Sequence, residues 1–151
     1  MNRDELTERW NSVLADTDAT AEAYRDRGWT ALALHPGDVN AVVDAARLHV
    51  LVPGSEFDEA NETIDPDALD AVQVYGATAG STRFRLVVAE NEADQIALCV
   101  PTFVLGSEAA DLRDAADRAG GITIRLRPLD DRDHVEFAVA DPSVFFDPPE
   151  A

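Results

Sequence analysis

The chain has 151 residues, 46% of them hydrophobic, enough to build one core and too apolar for the class of chains that stays disordered. Its formal net charge is −18, and all 12 basic residues are arginine, with no lysine and with aspartate outnumbering glutamate. That sign argues against direct nucleic-acid binding, which depends on neutralising phosphates, and a chain without lysine has neither a Walker-type P-loop nor Schiff-base chemistry.

Short carboxylates paired by arginine forks, with no strongly hydrated ammonium among them, suit concentrated salt. At molar salt the Debye length is about 3 Å, so self-repulsion is largely screened, whereas in dilute buffer it destabilises. Cys99 is the single cysteine, which rules out an intramolecular disulfide. No apolar run is long enough to cross a bilayer, and Met1-Asn2-Arg3-Asp4-Glu5 is too charged for a signal peptide. The expected location is the cytoplasm, with no membrane partner.

Asp4 to Arg27 reads as a helix, with Leu6, Trp10, Val13, Leu14, Ala21 and Tyr24 on one side. Asn2 with Glu5 resembles a capping box, Gly28 is a stop, and Asp16 to Thr20 is a weak stretch. Trp29 to Leu34 reads as a strand ended by the turn residues His35-Pro36-Gly37-Asp38. Asn40 to Arg47 is helical or irregular, and Leu48 to Val52 is a second strand stopped by Pro53-Gly54. Phe57 to Asn61 suggests a short helix, and Asp65-Pro66 an N-cap with a first-turn proline. Val72–Thr78, Arg83–Ala89 and Gln95–Phe103 form an antiparallel meander. A helix follows from Glu108 to Ala119, with Ser107 as N-cap and Gly120-Gly121 as stop. Ile122–Arg127 and His134–Val139 form a last hairpin, and Phe145 and Phe146 pin the tail.

Alternation between strand faces then sets registers. Centring the last hairpin on its turn pairs Leu126 with Val135, Ile124 with Phe137 and Ile122 with Val139, and on the other face Arg125 with Glu136 and Arg127 with His134. In the meander, Phe84, Leu86 and Val88 share a face with Ile96, Leu98 and Val100, and with Val72 and Val74 if the first turn centres on Gly80. The reverse face then holds Gln73, Tyr75, Arg83, Arg85 and Cys99. The expected fold is α+β, a single domain over residues 1–151. It has a mainly antiparallel sheet of about five to seven strands, with the N-terminal helix and the 108–119 helix on one face. The tail from 147 to 151 is expected to be flexible.

That register sends Arg83, Arg85, Arg125 and Arg127 to the face away from the core, with Tyr75 and His134 at the margin. Together they would form a surface for a protein partner or a small anion, or a homodimer contact. The alternative is that these arginines pair with Glu136 and other carboxylates as counter-charges.

The catalytic candidates are His35 and Asp38, an imidazole and a carboxylate on one turn, but no nucleophile is tied to them by a recognised spacing. His49, between Leu48 and Val50, reads as structural. Asp130, Asp131, Asp133 and His134 lack the glycine and terminal glutamate of a calcium loop and read as a solvated turn, so no metal and no cofactor are expected.

The runs Thr30-Ala31-Leu32-Ala33-Leu34-His35-Pro36-Gly37-Asp38, Leu51-Val52-Pro53, Phe84-Arg85-Leu86-Val87-Val88 and Asp141-Pro142-Ser143-Val144-Phe145-Phe146 resemble a family of small acidic haloarchaeal proteins of unknown function. The resemblance implies a haloarchaeal cytoplasm and carries over no functional residues. The chain is therefore read as a non-enzymatic binding or regulatory module. The competing readings are a small enzyme on an anionic substrate, with His35 or His134 moving a proton, and a structural subunit of a homo-oligomer.

Overall fold

A buried stripe of Val13, Thr17, Ala21 and Tyr24 sets the inward side of α1 (Arg3–Asp26) in the structure, a computed structural model that describes residues 3–149. The Thr17 hydroxyl donates to the Val13 carbonyl at 2.7 Å, and the helix runs unbroken through Asp16 to Thr20. Asn2, the expected cap, lies outside the described residues.

Two four-stranded sheets follow, where one antiparallel sheet was expected. Sheet 1 has the order β1-β6-β5-β4, made of β1 (Thr30–Ala33), β4 (Ala71–Ala79), β5 (Thr82–Asn91) and β6 (Ile96–Val104). Sheet 2 has the order β2-β3-β7-β8, made of β2 (Asp38–Val42), β3 (Arg47–Leu51), β7 (Ile122–Arg127) and β8 (Val135–Val139). Each sheet contains one parallel pair, β1 with β6 and β3 with β7. The helical or irregular reading of Asn40 to Arg47 is corrected to the end of β2 and a 3-10 turn over Val43–Ala45, with Ala46 left-handed at φ 50°.

The remaining elements are α2 (Gly54–Thr63), a 3-10 turn at Pro66–Ala68, α3 (Gly106–Ala119) and α4 (Pro142–Phe146). The Asp65 carboxylate caps its turn by accepting from the Asp67 amide, as the Asp-Pro pair predicts. The N-cap of α3 is Leu105 rather than Ser107, while Gly120 ends the helix at φ +81°.

The last hairpin has the expected register, from Ile122 opposite Val139 to Leu126 opposite Val135. The meander does not. Gly80-Ser81 is a two-residue turn that pairs Tyr75 with Leu86, and Val88 lies opposite Cys99. Both hairpins of β5 are therefore shifted by one residue from expectation, and a one-residue shift exchanges faces. Val74, Val87, Leu98 and Val100 point toward sheet 2, joining Leu48, Val50, Ile124, Leu126 and Phe137 in one core with Phe57, Leu112, Phe145 and Phe146. Leu86, Val88, Ala97 and Cys99 face the other way, against Ala21 and Tyr24 of α1. Sheet 1 is thus covered on both faces, which is why Val87-Val88-Ala89 and Ala97-Leu98-Cys99-Val100 are unbroken apolar runs.

Candidate functional site

Sheet 2 alternates instead: even-numbered residues of β3 and β7 are buried, while odd-numbered ones are only partly covered. Register places Asn40, His49, Arg125 and Glu136 in one row across the far face of its four strands. Val42, Arg47, Thr123 and Ala138 form the row on one side. Asp38, Leu51 and Arg127 form the row on the other, and His134 follows Arg127 at the next register position. Neighbouring strands lie about 4.8 Å apart and alternate residues about 6.7 Å apart along a strand, so Arg47, Arg125 and Arg127 surround His49 at side-chain range.

These cations are unevenly neutralised. Arg125 Nε donates to Glu136 Oε1 at 3.0 Å, and His134 Nε2 lies 3.1 Å from the same oxygen. Arg127 reaches Asp131 only at 3.8 Å. Asp38 at the edge is engaged with the Val39 amide and the Asn40 side chain. Arg47 has no ion pair among the described residues, and its buried Nε and the buried Nε2 of His49 have no hydrogen-bond partner. His49 registers the resulting field. Burial, followed by Arg125, Arg47 and Arg127, holds its imidazole pKa below the ordinary value, with Asp131 opposing. Chemically, the face offers guanidinium forks suited to carboxylate or phosphate oxygens.

The four arginines expected in one patch are divided between the two sheets. Arg125 and Arg127 lie on this face. Arg83 is exposed on sheet 1, and Arg85, expected at the surface, is buried because of the register shift in β5. Its Nε donates to the Phe145 carbonyl at 2.7 Å and its Nη2 to that of Phe146 at 3.3 Å, so it anchors the tail. Tyr75 lies on the α1 side of sheet 1, far in the chain's layering from the sheet 2 face. The tail itself is held at least to Pro149, whose carbonyl accepts from Gly76 at 2.9 Å, while Arg113 grips Asp147 through both guanidinium Nη atoms. Residues 150 and 151 lie outside the described residues.

His35 and Asp38 share no hydrogen bond, Asp38 accepting from the Val39 amide and the Asn40 side chain. His35 Nδ1 is 2.8 Å from Glu56 and Nε2 is 2.8 Å from Asp18, tying the end of β1 to α2 and α1. In the Asp-rich turn, Asp130 accepts from Arg132 and Asp133 from the His134 amide. Among the described residues, no group of three His, Cys, Asp or Glu side chains is arranged to hold a metal ion. Among the described helices, none is long and apolar enough to cross a membrane.

Arg47 is not among the residues the sequence singles out, and His49 reads there as structural. Their signal was the strict alternation Arg47-Leu48-His49-Val50, but the parallel partner that brings them beside Arg125 lies over 70 positions away in the chain. No curated protein and no solved structure matches the chain. Residues 1–147 match the family of unknown function DUF7529, and the chain belongs to that family.

Proposed function

We propose that the protein is a non-enzymatic binding module of a high-salt cytoplasm, and that the far face of sheet 2 docks an extended, carboxylate-rich segment of a protein partner. The observation that carries this reading is the convergence of Arg47, Arg125 and Arg127 on His49 in a chain of net charge −18. Arg125 and Arg127 are two residues apart on one strand, as are Arg47 and His49, and alternate side chains of an extended peptide repeat at the same interval of about 6.7 Å. A pleated face presents this spacing to a strand better than to a compact small anion. In molar salt, long-range attraction is screened, so recognition must rest on direct guanidinium–carboxylate forks.

The test is calorimetric titration of a decaglutamate peptide into the protein in molar KCl, beside the Arg47→Gln/Arg127→Gln variant and an Arg25→Gln control. The reading expects binding by the parent and the control, with a loss of about tenfold or more in the double variant. Equal affinity in all three proteins, or no binding by any, refutes it. The high-salt assignment has its own check, an unfolding midpoint that rises steeply from dilute buffer to molar KCl.

A further inference from the structure

We propose that the cleft between α1 and β4 is a binding site for a primary amine carried on an apolar or aromatic body, with the ammonium group held by the buried carboxylate of Glu90. The cleft, open to solvent, has a volume of about 550 Å³, within the roughly 300–1,000 Å³ of small-molecule sites. Its helical wall is a stripe of Asp16, Thr20 and Ala23, with Arg27 just past the helix end, and its strand wall is Gln73 and Tyr75. Tyr24, Leu86 and Glu90 complete the lining.

Glu90 is the unusual element. It is 6% exposed, yet among the described residues the side chains that hydrogen-bond it are neutral. Tyr24 Oη donates to Oε2 at 2.7 Å, and Gln73 Nε2 reaches Oε1 only at 3.5 Å. Tyr75 Oη donates to Gln73 Oε1 at 2.6 Å and so fixes the amide with its nitrogen toward Glu90. Buried carboxylates are ordinarily paired with a cation. Arg27 lines the same cleft but stacks over the rings of Tyr24, at 4.5 Å, and Trp29, at 5.6 Å, and makes no ion pair with Glu90. Glu90 lines the cleft, and a carboxylate group has acceptor sites beyond the two these side chains occupy. Burial and the bond to Glu90 hold the Tyr24 hydroxyl well above its ordinary range, which keeps it a donor.

The ligand class follows from these walls. Glu90 and Asp16 favour a cation. Leu86 and the two tyrosine rings favour an apolar or aromatic body beside it. The carboxylate's remaining acceptor sites call for N–H donors, which a primary ammonium has and a quaternary one lacks.

The probe is phenethylamine, titrated calorimetrically into the full chain in KCl. Its comparators are 3-phenylpropionate, of similar body and opposite charge, and the N-trimethyl derivative, which lacks N–H. Phenethylamine is expected to bind, the trimethyl derivative more weakly and the acid not at all. Glu90→Gln leaves an oxygen for Tyr24 and is expected to weaken binding by about tenfold or more. Ala23→Phe, at an exposed helix position on the cleft wall, fills the site without touching the core and is expected to abolish binding even if Glu90→Gln fails to fold. Retained affinity in Ala23→Phe or in a folded Glu90→Gln, equal binding of the acid, or no binding of the amine overturns the proposal and leaves Glu90 as a structural partner of Tyr24.

Discussion

Replacing Arg85 by methionine tests whether this arginine serves the fold rather than the surface. The side chain is 5% exposed, and its three donor contacts go to backbone carbonyls, those of Phe145, Phe146 and, at 2.9 Å from Nη1, Phe84. Burial pulls its pKa down to about 10, with Arg83 adding to the fall and Asp147 opposing it, so it remains charged at neutral pH. Leaving a buried acceptor without its donor costs about 1–3 kcal/mol. Release of a desolvated guanidinium and the apolar fill of methionine offset part of that loss. The net expectation is a destabilisation of about 2–4 kcal/mol, which for a chain of this length lowers the midpoint by roughly 4–16 °C. Arg125→Met, by contrast, breaks a partly exposed pair with Glu136 and is expected to cost less than about 1 kcal/mol. Thermal unfolding followed by circular dichroism in molar KCl measures both. Gly76 supplies a second arm. A Cβ there would stand 2.8 Å from Arg85 Nη1 and 2.6 Å from Pro148 Cγ, so Gly76→Ala should be harmful beside the arginine and milder in the Arg85→Met background. The reasoning fails if Arg85→Met is no worse than Arg125→Met, or if the Gly76 and Arg85 changes add without coupling.

Three further outcomes are expected. At His35, burial lowers the pKa, but hydrogen bonds to Glu56 and Asp18, aided by their charges, raise it above 6.5 overall. The stability it contributes is complete below 6.5 and lost as pH rises through the raised value. The unfolding midpoints of wild type and His35→Gln should therefore converge as pH rises, and a gap independent of pH would contradict the clamp. His49 shifts the other way, so its contribution is present above 6.5 and lost as pH falls through the lowered value. Arg47→Gln should move its NMR titration back toward the ordinary value, and an unmoved midpoint would remove Arg47 from the field at this face. The Cys99 thiol is pushed up to about 12, chiefly by burial, with Arg25 pulling down and Glu90 pushing up. It should resist a thiol reagent until the protein is denatured, and prompt labelling of the native protein would contradict its place beneath α1.

Some local signals are legible because the residues that determine them are neighbours, although Ser107 as the cap of α3 is not one of them. The cross-strand pair Arg125–Glu136 followed from centring one hairpin on its turn, and Gly120 and Asp65-Pro66 marked their element boundaries by backbone chemistry alone. The meander failed for a definable reason. Its turn residues allow centring on Gly80 or on the Gly80-Ser81 step, and in a strand covered on both sides each choice places apolar residues on both faces. Alternation therefore could not choose between registers for β5, although the unbroken run Val87-Val88-Ala89 was itself a sign of double covering.

The arginines show why the candidate site was only half legible. Arg85 and Arg125 both sit on strands between apolar neighbours, and nothing in their flanking residues separates a buried tail anchor from a half-exposed surface cation. The difference comes from tertiary partners: the α4 carbonyls for Arg85, the parallel β3 for Arg125. The same parallel pairing sets His49, read from its alternation as structural, beside Arg47, Arg125 and Arg127 on the outer face of sheet 2. Parallel neighbours are never joined by a short turn, so no local register argument could have found them. Among the described residues, what distinguishes Arg47 is a buried Nε with no hydrogen-bond partner, beside the equally unpartnered Nε2 of His49. A partner that brings its own carboxylates would explain it.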